Sequence, residues 1–176
     1  LPERRDGGKN VYIEIEYEKE IPEFPIYTIS NRGRVHNNFT GRQMVLSPTI
    51  QGDLTVGLMK HNIQYRRSVK SLVAKAFVPG ETNIFNTPIQ LDGDKENLDA
   101  TNIVWRPRWF AHEYAAQFRN HPRWYTKGPL LDVVNQLHYE TVFEAAIANG
   151  ILCKHIQAAI PSDTYVFPTG QKFIYI

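Results

Sequence analysis

The chain has 176 residues, 42% hydrophobic and 22% charged, with a formal net charge of +2, the balance of an ordinary globular protein rather than a disordered one. No apolar run approaches the roughly 18 residues that span a bilayer and no charged-then-apolar leader opens the chain, so neither membrane insertion nor secretion is expected. The single Cys153 excludes an internal disulfide framework and a multi-cysteine zinc site, and its apolar neighbours Ile151, Leu152 and Ile156 mark it as a buried, inert thiol.

Val11–Tyr17 alternates apolar and polar positions, the period-two signature of a half-buried strand. Pro22 and Pro25 then break the chain. Tyr27–Ile29 predicts a short strand ended by the Asn31-Arg32-Gly33 turn, and Arg34–His36 resumes it. Gly41 and Gly52 punctuate further strands near Gln43–Leu46 and Leu54–Met59, and Gln64–Val69 predicts an Arg-rich one. Ser71–Phe77 has helical spacing and is stopped by Pro79-Gly80. From there the order is strand (Pro88–Leu91), loop, strand (Ile103–Trp105) and helix (Trp109–Phe118), with Trp105 and Trp109 read as core.

Asn120–Gly128 reads as a linker. Beyond it Leu130–Val134 and Leu137–Glu140 flank Asn135-Gln136, a hairpin signal. Thr141 predicts an N-cap for a helix over Val142–Ala148, Asn149-Gly150 its end, and Ile151–Ile160 a second helix stopped by Pro161. Tyr165–Phe167 and Lys172–Ile176 complete the chain as a closing hairpin. Two short helices about a Gly turn suggest a helix-turn-helix. With no initial Met, a trimmed or incomplete chain is expected.

Charge is unevenly spread. Residues 30–79 carry net +7 and residues 101–128 net +4, flanking net −4 over 80–100, while 1–29 and 129–176 are net −3 and −2. Basic blocks attract polyanions through Coulomb forces and counterion release.

Four segments in order then carry a family resemblance. Tyr27-Thr28-Ile29-Ser30-Asn31-Arg32-Gly33-Arg34-Val35 resembles "Tyr-x-(Val/Ile)-Ser-Asn-x-Gly-x-Val", and Val69–Phe77 resembles "Val-His-Arg-Leu-Val-Ala-x-x-Phe", with Lys70 and Ser71 departing from it. Asp92–Asn97 through Thr101–Trp105 resembles "Asp-Gly-Asn-Lys-x-Asn…Asn-Leu-x-Trp", and Leu130–Ile160 is similar to a C-terminal helix-turn-helix repeat. These are the segments of phage and intron-encoded HNH homing endonucleases. The resemblance spans about residues 24–176 and leaves the acidic strand at 11–20 outside.

The resemblance implies an α+β chain, extended and modular: a small antiparallel sheet, a ββα HNH-like core and a C-terminal helix-turn-helix with short hairpins. The boundaries that follow are an N-terminal extension over 1–23, a β-rich DNA-binding-like module over 24–80, the ββα core over 81–119, a linker over 120–128 and the C-terminal module over 129–176. It also implies a chemistry. In the family a His before the Asp-Gly turn is the general base that activates water, and its neighbour and a helix residue hold the divalent ion. Here those positions are Ile89, Gln90 and Ala111. Ile and Ala offer no ligand atom, and a Gln amide takes no proton near neutral pH. Asn102 is retained, with the expected job of shaping the hairpin loop. Substitute ligands would be Asp92, Asp94 and His112, but Asp92 is better explained as the turn residue and His112 stands one helix step, about 100°, from the family position.

No cofactor is therefore expected, with Mg²⁺ or Mn²⁺ relevant only if nuclease activity persists. Candidate nucleic-acid contacts are Arg32, Arg34, Arg42, Arg66, Arg67, Lys70 and Lys75, then Arg106, Arg108, Arg119 and Arg123, and Lys154 with His155 and Gln157 on the second C-terminal helix. The first reading is a catalytically inactive homologue that binds duplex DNA. The alternatives are an interaction subunit of a larger nucleoprotein assembly, with RNA or protein partners, and an active nicking enzyme with a shifted metal site. The expected setting is intracellular, in a phage-infected bacterium or an organelle.

Overall fold

The computed structural model describes residues 15–119 and 123–176, preceded by two short strands, β1 (Arg5–Asp6) and β2 (Lys9–Asn10). Among the described residues the fold is α+β: small antiparallel sheets and four α-helices in chain order. The strand expected over Val11–Tyr17 lies mostly outside the described residues, and Ile15–Tyr17 is irregular. The regular strand begins later, as β3 (Glu18–Ile21), which pairs with β4 (Phe24–Ser30). Pro22-Glu23 forms the two-residue connection, so Pro22 does break the chain. Pro25, by contrast, sits inside β4 beside a register shift at Glu20/Ile21, where its missing N–H removes no regular rung.

β5 (Val35–Asn37) and β6 (Arg42–Gln43) complete a four-stranded sheet in the order β3-β4-β5-β6. The turn into β5 explains the Gly of the first motif. Gly33 has φ of 83°, and a Cβ there would come within 2.5 Å of Leu98 Cβ. A second sheet, β7-β8-β9, joins β7 (Ser47–Pro48), β8 (Leu54–Lys60) and β9 (Ile63–Ser68). Residues His61 and Asn62, both at positive φ, close the β8–β9 hairpin. Ser68 then caps α1 (Val69–Phe77) by accepting from Ser71 N. The helix thus starts two residues before the apolar spacing suggested.

The first core lies between these sheets and α1, around Phe24, Tyr27, Ile29, Val56, Leu58 and Val73. It runs on into Leu98, Ile103 and Trp105 of the next hairpin, β10 (Thr87–Gln90) with β11 (Ile103–Arg106). α2 (Arg108–Gln117) follows and buries Phe110, Tyr114 and Gln117. Trp105 is buried, and its indole N–H donates to Val78 O at 2.9 Å. Trp109 departs from expectation: it is 54% exposed and stacks against Phe167 at 5.9 Å, because α2 turns Phe110 and Tyr114 inward instead.

Residues 120–122 of the expected linker lie outside the described residues. Its second half is structured: Arg123–Thr126 is a 3-10 turn, with Tyr125 buried and stacked on Phe143 at 6.0 Å. A second core then gathers around β12 (Leu130–Asp132), β13 (Leu137–Tyr139), α3 (Val142–Asn149) and α4 (Cys153–Ser162). Thr141 caps α3, and Gly150, at φ of 59°, ends it. α4 continues through Pro161 and ends at a left-handed Asp163. The closing hairpin is reduced to a single Val166–Gln171 bridge. The last strand, β14 (Phe173–Tyr175), pairs with β12 instead, which lets Phe173 enter the core. Among the described residues no helix is long and apolar enough to cross a membrane.

Candidate nucleic-acid interface

The ββα unit is β10, β11 and α2, with the loop 91–102 held by side chains. Asp92 Oδ1 accepts from Asn102 Nδ2 at 2.9 Å and from Asp94 N at 2.9 Å, and its Oδ2 accepts from Asn97 Nδ2 at 2.6 Å. Asn102 also donates to Asn97 O at 3.1 Å, and its Oδ1 accepts from Asp92 N at 3.2 Å. Asn102 therefore ties both ends of the loop together. Asp99 accepts from Thr101 N at 2.9 Å and caps the short 3-10 turn that leads into β11.

The two strand positions of interest face inward. Gln90 is 6% exposed, and its amide donates to Asn97 O at 3.0 Å. Ile89 is 5% exposed and belongs to a third apolar cluster with Phe110, Tyr114 and Leu152, against which Ala111 also packs. The Tyr114 hydroxyl donates to Leu91 O at 2.7 Å, and burial pushes its pKa above the ordinary value.

The residues at the implied positions do not fit a divalent ion: Ile89 and Ala111 offer no ligand atom, and the Gln90 amide donates to Asn97 O. Mg²⁺ commonly takes one or two protein carboxylates, with water and phosphate completing its shell. Of the fallback ligands, Asp92 spends both oxygens on the loop, Asp94 Oδ1 accepts from Glu96 N at 2.9 Å, and His112 is exposed on α2.

The basic residues separate into different environments. Arg42 on β6, Arg66 on β9 and Arg108 at the start of α2 are exposed and make no ion pair among the described residues. Arg32, half-buried, sits in the Asn31–Gly33 turn, and Lys75 and Arg119 are exposed; the side chain of Arg123 lies outside the described residues. Arg34 pairs with Glu16 at 3.1 Å and Lys70 with Asp53 at 3.2 Å. Arg67 reaches Glu23 at 3.5 Å and lies over the rings of Phe24 and Tyr65.

Arg106 and Lys154 are both held by protein partners. Arg106 is 9% exposed: its guanidinium donates to Gly150 O at 2.8 Å, Asn149 O at 3.0 Å and Trp105 O at 2.9 Å. α3 has no basic residue in its last turn, and Arg106 brings a cation to the negative end of that helix from β11. Lys154, exposed in the first turn of α4, pairs with Glu113 of α2 at 2.7 Å. His155 packs edge-on to Phe110 at 6.1 Å and is shifted down by burial and then by Lys154. Gln117 Oε1 accepts from Cys153 N at 3.2 Å. Burial raises the Cys153 thiol to about 12.

The register of β8 and β9 builds one continuous surface. Thr55, Gly57 and Met59 face the same way as Ser68, Arg66 and Gln64, opposite the buried Val56 and Leu58. Two adjoining clefts of about 410 and 610 Å³ share Thr55 and Arg66. The first is walled by Arg42 and Gln43, the second by Lys70 and the turn at 49–51. Gln64 and Ser47 on this surface were missed in the sequence, although alternation through Gln64, Arg66 and Ser68 carries the signal. Lys95 was also missed: it donates to Gln51 O and pairs with Asp53 at 3.1 Å, joining the ββα loop to this sheet.

Comparison with known proteins adds relatives and a fold. No family model matches the chain. It is 27% identical over 104 residues to HNH endonuclease L247 of Acanthamoeba polyphaga mimivirus, covering 58% of this chain and 25% of that protein. It is 33% identical over 89 residues to HNH endonuclease L245 of the same virus, covering 49% and 26%. The matched stretch thus spans about a quarter of the length of these curated relatives. The fold is similar to that of the HNH homing endonuclease I-HmuI, solved in connection with DNA binding and cleavage, with a TM-score of 0.54, 19% identity, and coverage of 91% of this chain and 98% of that one. The chain is thus similar in sequence, over about half its length, to proteins named HNH endonucleases, and similar in fold, along nearly its whole length, to an HNH homing endonuclease.

Proposed function

We propose that this chain binds duplex DNA and does not cut it. The observation that carries this reading is the filling of the ββα site. Ile89 is committed to an apolar cluster and Gln90 to a loop carbonyl, where the family resemblance implies a metal ligand and a general base. Neither can take a proton from water near neutral pH, and Ala111 adds no ligand. Binding needs none of these groups. It rests on the outer face of β7-β8-β9 with Arg66, on Arg42 across the cleft, and on Arg108 at the ββα unit. Phosphate contacts of this kind give affinity and register, and Arg can also read guanine bidentately.

A salt titration of binding to duplex DNA, without divalent ions, tests the reading. Binding that weakens steeply as salt rises supports it through counterion release. Absence of binding at low salt overturns it.

A further inference from the structure

Ile50 is fully exposed, at 107% of the reference area. A lone exposed aliphatic is common on protein surfaces, but this one has a particular place. It lines the cleft that also carries Arg66 and Lys70, so it stands exposed beside the two cations that would draw an anion there. The turn that presents it is braced from three sides. Within the turn, Gly52 N donates to Thr49 O at 2.9 Å and Thr49 N to Asp53 O at 2.9 Å. From α1, Lys70 pairs with Asp53. From the ββα loop, Lys95 donates to Gln51 O and pairs with Asp53. The backbone on both sides of Ile50 is thereby held, and the side chain is kept out of every core.

We propose that Ile50 is an insertion wedge. When duplex DNA lies along the cleft, held through its phosphates by Arg66 and Arg42, Ile50 enters between two base pairs, unstacks them and kinks the helix. Apolar side chains inserted at a base step act in this way in DNA-bending proteins. The favoured site is a pyrimidine–purine step, which unstacks most readily. Ile50 therefore supplies sequence preference without a hydrogen bond to any base. The inference rests on the duplex-binding reading given above.

The test uses the full chain with duplexes that carry 2-aminopurine at successive steps and a donor–acceptor dye pair at their ends. The expected result is a rise in 2-aminopurine fluorescence at one step, together with shortened end-to-end distance. Ile50→Ala should abolish both signals while low-salt affinity falls by no more than roughly tenfold, since the phosphate contacts remain. Ile50→Leu should restore them. Because Ile50 touches no core, thermal unfolding of the Ala variant should match the parent. Binding by the parent without unstacking, or a bend that survives Ile50→Ala, overturns the wedge alone. No binding by the parent at low salt overturns the duplex-binding reading as well.

Discussion

Gln90 donates its side-chain amide to the Asn97 carbonyl at 3.0 Å, folding inward at the position where a general base would have to face water. Beside it, Ile89 packs with Phe110, Tyr114 and Leu152, which come from α2 and from the residue before α4. Restoring a carboxylate at 89 would therefore bury a charge among apolar side chains. Ile89→Asp should destabilise the fold by about 4 kcal/mol, combining the lost aliphatic packing with the cost of a buried polar group. Urea denaturation reads this directly, and a loss under about 1 kcal/mol would mean the position is open to solvent.

Arg106 links β11 to the end of α3 with two directed bonds, to Asn149 O and Gly150 O, and a third goes to Trp105 O of its own strand. Arg106→Ala leaves those carbonyls without a donor, and stability should fall by roughly 3 kcal/mol. Arg106→Lys should recover little, because an ammonium cannot reproduce the planar fork that reaches three acceptors at once. Chemical denaturation of both variants checks this; full recovery by Lys would contradict the geometric argument.

Arg66 and Lys154 were alike as candidate contacts, yet their surroundings differ. Arg66→Ala should weaken duplex binding and reduce the slope of log K against log salt by about 0.9. Lys154 is paired with Glu113, so Lys154→Ala should leave both quantities nearly unchanged. Salt titrations of the two variants, run side by side, separate these outcomes.

Asp53 gives a pH signature. Burial alone would raise its carboxyl, but the charges and hydrogen bonds of Lys70 and Lys95 outweigh that and hold it below its ordinary value of 3.8. A carboxyl lowered in the folded state contributes stability that is complete above the ordinary value and is lost as pH falls below it. The stability gap between the parent and Asp53→Asn should accordingly be constant from neutral pH down to about pH 4 and shrink at lower pH. Denaturation midpoints across pH 2.5–7 measure it. A gap that grows on acidification would show that the ion pairs are not its source.

Much of the architecture was legible because local patterns and tertiary packing agree. Alternation through Leu54–Met59 and Gln64–Ser68 marks the two long strands, and Thr141 and Gly150 mark the ends of α3. The departures come from partners distant in the chain. Nothing near Phe173 says that its strand will pair with Leu130–Asp132 rather than with residues 165–167. Arg106 stands in a basic stretch and looks like a surface cation, and only the carbonyls 43 and 44 residues away make it a buried one. That positions 89, 90 and 111 stand where the metal ligands and the base would be is what the family resemblance implies. Their inward packing was not legible, because Leu152 lies far along the chain.

The central claim, binding without cutting, is tested most directly on supercoiled plasmid DNA at low salt with Mg²⁺ or Mn²⁺, with mobility and nicking read on one gel. Binding without cutting gives retarded plasmid that remains supercoiled after the protein is removed. Metal-dependent conversion to open circles would contradict it.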